Sequence, residues 1–371
     1  MQTPTLVEDI HELHDLESNL LSQPRFAVDT ESNSLHAYQE QVCLIQISIP
    51  GSDYLVDPLR LTNLDPIRSL MADSNIEKVF HAAEYDIICL KRDFGFQIAN
   101  LFDTRVALRT LGRIRTGLGD VLHEEFGVHL NKRLQRANWG QRPLPRELLD
   151  YAALDTHYLL PLRDLIVKEL VEARRWEEAT EECKRISHIE PSANDLDEDR
   201  FWRVSGARRL SHTQTAILRE LFILREEEAR RLDRPTFKVF GDKVLIGISQ
   251  SEPRDLDELG QLPGMTAKQI NRFGTKLIAA VERGRVADPP TRPVNERLDD
   301  AVLNRYKRLR TWRKRMAEAR QVESDIILPR ELVMEIAREA PQSREELREI
   351  MQPLEWRFQT YADEILERIQ S

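Results

Sequence analysis

Three short stretches place acids where apolar residues dominate: FAVDTE at 26–31, HAAEYD at 81–86 and YAALD at 151–155. In the first, Asp29 and Glu31 close a β-type run at positions i and i+2, a spacing that sends both side chains out of one face of a strand. Like charges held that close raise each other's pKa and destabilise a fold unless positive charge sits between them, and a divalent metal would supply it. Asp86 lies just before Ile87, Ile88, Cys89 and Leu90, near the start of what reads as a buried helix. Tyr151 and Asp155 stand four apart on one helix face, with Ala152, Ala153 and Leu154 between them. Taken singly, each has an ordinary explanation: acids capping a surface turn, an Asp favoured by a helix dipole, a polar group beside a core tyrosine.

The elements that must position these residues follow an α/β order. RFAVD, VCLIQISI and DYLVD read as strands, 63–72 as a helix, KVFHA as a strand, Glu84 to Phe94 as a helix and NLFDT as a strand. Three closely connected strands followed by helix-linked ones predict a mixed sheet with helices on its faces. From Pro145 to about Lys184 the pattern is helical, and PSANDLDED at 191–199 reads as a polar linker. Beyond it the chain looks helical and repeats itself. At an offset of 88 residues, Leu221, Leu224, Arg225, Ala229, Ile248, Pro253, Leu259 and Phe273 fall on Leu309, Trp312, Arg313, Ala317, Ile336, Pro341, Leu347 and Tyr361. A shared proline and arginine at one fixed offset argue for two copies of a small helical domain, about 211–285 and 299–371. VADPPTRPVNE at 286–296 joins them.

A chain of 371 residues has room for two or three domains. Cys43, Cys89 and Cys183 form no CxxC pair, which argues against a disulfide framework or a structural zinc site and fits a reducing cytoplasm. No export signal and no membrane-length apolar run is visible. The net charge of −9 is concentrated in residues 1–190, with 21 Lys+Arg against 31 Asp+Glu; the remainder is near neutral. Local basic stretches survive within that average, RYKRLRTWRKR at 305–315 carrying seven basic residues and no acid.

Together, the three acidic stretches resemble the exonuclease motifs of the DEDD superfamily of 3′-to-5′ exonucleases, in the subgroup with a tyrosine four before the last Asp. The stretch LNKRLQRANWGQRPLPRELLDYAALD is similar to the ribonuclease D family, whose nuclease domain is followed by one or two HRDC domains where the 88-residue repeat lies. The resemblance implies a ribonuclease-H-like α/β exonuclease domain over 1–190, with a mixed sheet flanked by helices, followed by two small all-α HRDC-type domains over 208–287 and 297–371. It implies that Asp29, Glu31, Asp86 and Asp155 bind two Mg²⁺ or Mn²⁺ ions, hard cations suited to an all-carboxylate site. Asp29 would bridge both ions, Glu31 and Asp155 would complete the one that generates hydroxide, and Asp86 would hold the other; Tyr151 would orient the attacking water. Catalysis would release nucleoside 5′-monophosphates from RNA, with 3′ ends of tRNA precursors as substrates and neither a membrane nor an organic cofactor involved.

Lys132, Arg133, Arg136 and Arg142 form an acid-free stretch that reads as a phosphate-guiding rim, with Trp139 available for stacking or for packing. His81 and His157 read as local packing or capping residues, and Trp312 as buried because it aligns with Leu224. No phosphate-binding glycine motif supports an ATP-driven activity. Two other readings stay open: a DNA substrate for the same chemistry, and a catalytically silent RNA-binding scaffold.

Overall fold

In a computed structural model describing residues 3–191, 198–292 and 298–370, the apolar run RFAVDTES forms a central strand because both of its faces are covered. Six strands build one sheet: β1 (Thr5–Val7), β2 (Arg25–Ser32), β3 (Val42–Ile49), β4 (Ser52–Val56), β5 (Glu77–Phe80) and β6 (Leu101–Asp103). Their order is β1-β4-β3-β2-β5-β6, with β3 antiparallel to β2 and β4 and the remaining pairs parallel. Along β2 the faces alternate as a strand requires: Phe26 and Val28 enter one core, with helices Ile10–Leu21 and Asp65–Ala72 and helix Glu84–Phe94, while Ala27 enters another with Leu159, Leu162 and Ile166. The sheet is therefore mixed and flanked by helices, as expected. β1 carried no sequence signal, since three residues are too few to show a period. No described helix is long and apolar enough to cross a membrane.

The two helical copies match element by element. Helices His212–Leu232, Thr236–Val239, Asp242–Ser251 and Ala267–Val286 correspond at the 88-residue offset to Asp300–Arg320, Ser324–Ile327, Arg330–Glu339 and Glu355–Gln370. Left-handed residues recur as well, at Asp233 and Gln321 and at Glu252 and Ala340. The shared arginine does the same work twice, donating from Nη1 to Phe240 O at 3.4 Å in the first copy (Arg225) and to Leu328 O at 2.8 Å in the second (Arg313). Trp312 is 2% exposed, so its ring is core, and its Nε1 donates to Glu364 at 2.7 Å.

The chain divides into two units. One comprises Met1–Ser32, Val42–Pro191 and Arg297–Ser371, the other Asn33–Gln41 and Ser192–Glu296. Of the expected linkers, 192–197 and 293–296 lie outside the described residues. Within the first unit the second helical copy docks on the helix Trp176–Ser187 through buried ion pairs. Arg357, fully buried, donates to Glu181 at 2.7 Å and to Ile326 O, and Arg320 clasps Glu178 at 2.5 and 2.8 Å. Removing one member of such a pair strands the other charge out of water. Arg357→Ala is accordingly expected to cost about 3–5 kcal/mol, seen by calorimetry as earlier melting; an unchanged transition would show that Glu181 regains water at no cost.

Candidate active site

Asp29 and Glu31 lie at the end of β2, which the neighbouring β3 holds in register by pairing Asp29 with Gln46 and Glu31 with Leu44, until a bulge after Glu31 breaks the ladder. Asp29 shares the face of Ala27, the face over which helix Arg146–His157 passes, and that helix brings Tyr151 and Asp155 with it. Its C-terminal end is pinned beside Asp155 by a buried chain of hydrogen bonds. Thr156 Oγ1 lies 2.7 Å from Ser48 Oγ, Ser48 donates to Asp53 at 2.6 Å, and His157 Nδ1 lies 2.8 Å from the same carboxylate. His157 is thus a packing residue, as read from sequence.

Asp86 is positioned from the other side. The chain turns into helix Glu84–Phe94 through Ala82, whose φ of 64° is costly for a residue with a Cβ. The Asp103 carboxylate secures that turn by accepting Ala82 N–H at 3.0 Å and Ala83 N–H at 2.7 Å, and it also caps helix Thr104–Thr110 by accepting from Arg105 and Val106 at 2.8 and 3.1 Å. One buried acid therefore ties two elements together. Asp86 itself is 8% exposed and accepts a hydrogen bond from the Thr30 hydroxyl, which sits between Asp29 and Glu31.

These elements enclose a cavity of about 370 Å³. Asp29, Glu31 and Asp155 line it, together with Thr30, His81, Tyr85, Arg105 and Gln135. Asp86 is not among the lining side chains, but its carboxylate accepts from Thr30 and is the largest charge acting on Asp29. Burial, and then the charges of Asp86, Asp155 and Glu31, push Asp29 well above the usual carboxylate range. Burial followed by Asp155 and Asp86 raises Glu31 to about 9, and burial raises Asp155 to about 8 and Asp86 to about 7. The site is short of positive charge. The Gln46 amide, opposite Asp29 in the ladder, is buried and completes no hydrogen bond, and the buried Tyr151 hydroxyl faces the Asp155 carboxylate. Burial and the charges of Asp155, Glu31 and Asp29 push the tyrosine pKa above its ordinary value.

A hard divalent cation fits this donor set: carboxylate oxygens that repel one another, beside an unsatisfied amide. Among the described residues no three His, Cys, Asp or Glu side chains already stand in a metal-coordinating cluster.

The basic rim divides. Lys132, Arg133 and Arg136 are exposed. Arg142 is not available to phosphate, because its guanidinium clamps buried Asp57 at 2.5 and 2.7 Å and donates to Cys43 O and Trp139 O. Trp139 offers no stacking face, being fully buried against Tyr151, Leu44 and Leu148. Packing took both residues out of the rim, a choice that a linear count of cations does not reveal. Sequence reasoning also missed Gln46, Asp103, Arg105, Tyr85 and Gln135. Asp103 followed by Thr104 before a helical run was a legible cap signal, whereas the others carried none. His81, read as packing, lines the cavity as a neutral ring whose pKa burial lowers to about 4, with Nδ1 2.9 Å from Thr104 Oγ1.

A mixed sheet carrying this carboxylate cavity is a nuclease-type arrangement, and comparison with known proteins agrees. A 3′-5′ exonuclease family model matches residues 4–171, and an HRDC domain model matches 214–281 and 302–369. The chain is 35% identical to the Arabidopsis thaliana protein RRP6-like 2 over 76% of its own length, although it spans only 34% of that relative. Similarity to solved structures includes the catalytic core of RRP6 from Trypanosoma brucei (30% identity, 76% of this chain and 82% of that one, TM-score 0.68). It also includes Escherichia coli RNase D, described as an exoribonuclease involved in structured RNA processing (25% identity, 100% and 99% coverage, TM-score 0.72). The chain belongs to the 3′-5′ exonuclease family with HRDC domains that includes ribonuclease D and RRP6.

A carboxyl group whose folded pKa lies above its unfolded value binds its proton more tightly when folded. Stability is then lost as pH rises from the unfolded value near 4 to the raised values of about 7, 8 and 9 at Asp86, Asp155 and Glu31, and is flat beyond. In EDTA, Asp29→Asn relieves this repulsion and is expected to raise the melting temperature by about 2–5 °C at pH 8, with less gain at pH 5. A loss of stability at pH 8 would contradict the repulsion argument.

Proposed function

We propose that this chain is a divalent-metal-dependent 3′-to-5′ exoribonuclease that releases nucleoside 5′-monophosphates and trims the 3′ ends of structured RNAs, tRNA precursors among them, in a reducing cytoplasm. The observation that carries the reading is one cavity in which Asp29, Glu31 and Asp155 converge, with the Asp86 charge acting on Asp29, and burial and neighbouring charges push all four above the usual carboxylate range. Family membership and the name of the E. coli neighbour support RNA as the substrate class.

Asp29, Glu31, Asp86 and Asp155 are the side chains that would hold Mg²⁺ or Mn²⁺, ions that lower the pKa of bound water and neutralise charge on a departing 3′-oxygen. The protein's own contribution is placement. Thr30 fixes the Asp86 carboxylate, the Thr156–Ser48–Asp53–His157 chain fixes the helix bearing Asp155, and strand pairing fixes Asp29. The Tyr151 hydroxyl, buried beside the Asp155 carboxylate and with its pKa pushed up by burial, would orient a water molecule by hydrogen bonding. We assign the nuclease to 1–190 and the HRDC domains to 208–287 and 297–371, and read exposed Lys132, Arg133 and Arg136 as an outer guide for the phosphate backbone.

The test is incubation of the purified chain with a 5′-labelled tRNA precursor bearing a short 3′ trailer, and with a matched DNA strand, in Mg²⁺, Mn²⁺ or EDTA. Stepwise shortening of the RNA from its 3′ end, abolished by EDTA and reduced at least about 10³-fold by Asp29→Asn, is expected. Faster shortening of the DNA would transfer the activity to DNA, and an active Asp29→Asn protein would sink the carboxylate assignment.

A further inference from the structure

We propose that Arg105 and Tyr85 grip the RNA strand at the mouth of the carboxylate cavity, Arg105 by pairing with a backbone phosphate and Tyr85 by stacking on a base. The inference rests on the exoribonuclease reading above and adds to it the residues by which this chain engages its substrate.

A strand that reaches Asp29 and Asp155 brings one negative charge per nucleotide toward a wall of acids. Something fixed and cationic must meet it there. None of the basic residues singled out between 132 and 142 lines the cavity, and Arg142 is spent on Asp57. From that stretch only Gln135 reaches the lining. His81 lines it but is neutral, since burial lowers its pKa to about 4. Among the described residues Arg105 is therefore the one fixed cation lining the cavity. It is exposed, and among the described residues no acid or carbonyl engages its guanidinium, whereas Arg109, one turn along the same helix, is held by Glu323 and by Asp325 at 2.5 Å. An arginine left unpaired at the edge of an acidic cavity matches a phosphate oxygen in geometry and charge.

Tyr85 precedes Asp86 on a helix whose next residues are buried, yet it is 53% exposed and lines the same cavity. An aromatic ring at the cavity wall with half its surface in solvent can take a nucleobase by stacking, and every nucleobase has a face to match. The backbone segments that carry the two side chains are also tied to one another. The Asp103 carboxylate that accepts Ala82 and Ala83 N–H, just before Tyr85, also accepts Arg105 N–H. One acid thus joins the segment bearing the stacking group to the one bearing the phosphate group, and a strand bound to both is aligned before it meets the carboxylates.

The test uses the full chain and a short 5′-fluorescein oligoadenylate, with binding followed by anisotropy in EDTA over a range of salt and hydrolysis followed in Mg²⁺ or Mn²⁺. Arg105→Ala should weaken binding about tenfold and reduce the slope of log affinity against log salt by about 0.7, one phosphate contact on a single strand, while Arg105→Lys keeps the slope. Tyr85→Ala should weaken binding at least about fivefold with the slope unchanged, and Tyr85→Phe should bind like the parent. In hydrolysis both alanine variants raise KM and leave kcat within about twofold, a purely binding defect. An unchanged slope in Arg105→Ala, or equal loss in Tyr85→Phe and Tyr85→Ala, overturns the proposal. A parent chain that binds but shortens no RNA overturns the exoribonuclease reading instead, and the anisotropy in EDTA still decides the two residues.

Discussion

Repulsion among enclosed carboxylates is the constraint around which the first unit is organised. Asp29, Glu31, Asp86 and Asp155 bear on one another inside a region that burial has already made hostile to charge, so each of their positions must be imposed by structure elsewhere. Strand pairing imposes the first two. The buried Thr156–Ser48–Asp53–His157 chain imposes the last. Asp103, through four backbone N–H groups, imposes the strained turn that leads to Asp86. A fold that accepts this much local cost, including an unsatisfied Gln46 amide, has been shaped for something other than its own stability.

The two helical copies show the same backbone solution put to different uses. Arg225 and Arg313 bind equivalent carbonyls, and the helix starts coincide at the 88-residue offset, so the scaffold was retained. What changed is the surface that meets a neighbour. Arg320 and Arg357, the residues that bind Glu178 and Glu181, stand where the first copy has Leu232 and Gln269. Gln269 instead stays within its own copy, capping its helix with Thr266 and reaching Val239 O. Arginine at these two positions lets the second copy dock on that helix, since a buried guanidinium with matched carboxylates gives orientation as well as contact.

Net charge is a poor guide to which cations stay available to a phosphate, for a physical reason. A cation's usefulness to a phosphate depends on whether the fold has already engaged it. Arg142 clamps Asp57, Arg109 clamps Glu323 and Asp325, and Arg357 is buried, while Arg105, unremarkable in the sequence, is left at the cavity edge. The same holds for aromatic rings: Trp139 looked like a stacking platform and is core, whereas Tyr85, hidden inside a motif noted for its acids, is the exposed one.

Sequence by itself determined the α/β order, the helical repeat and the identity of the acids and tyrosine, because each of these is written in local periodicity or in a short motif. Period two and an apolar run that ends in Asp and Glu place two carboxylates on one strand face wherever the strand goes. A fixed offset of matching residues marks a repeat without reference to any fold. Tertiary structure alone decided which charges were neutralised by the protein and which were left for a ligand, that Asp86 meets the Thr30 hydroxyl, and that the second copy joins the nuclease in one unit. Those outcomes depend on which side chains meet across the sheet and between helices distant in sequence. Local patterns carry no record of such meetings, and burial then magnifies their electrostatic consequences.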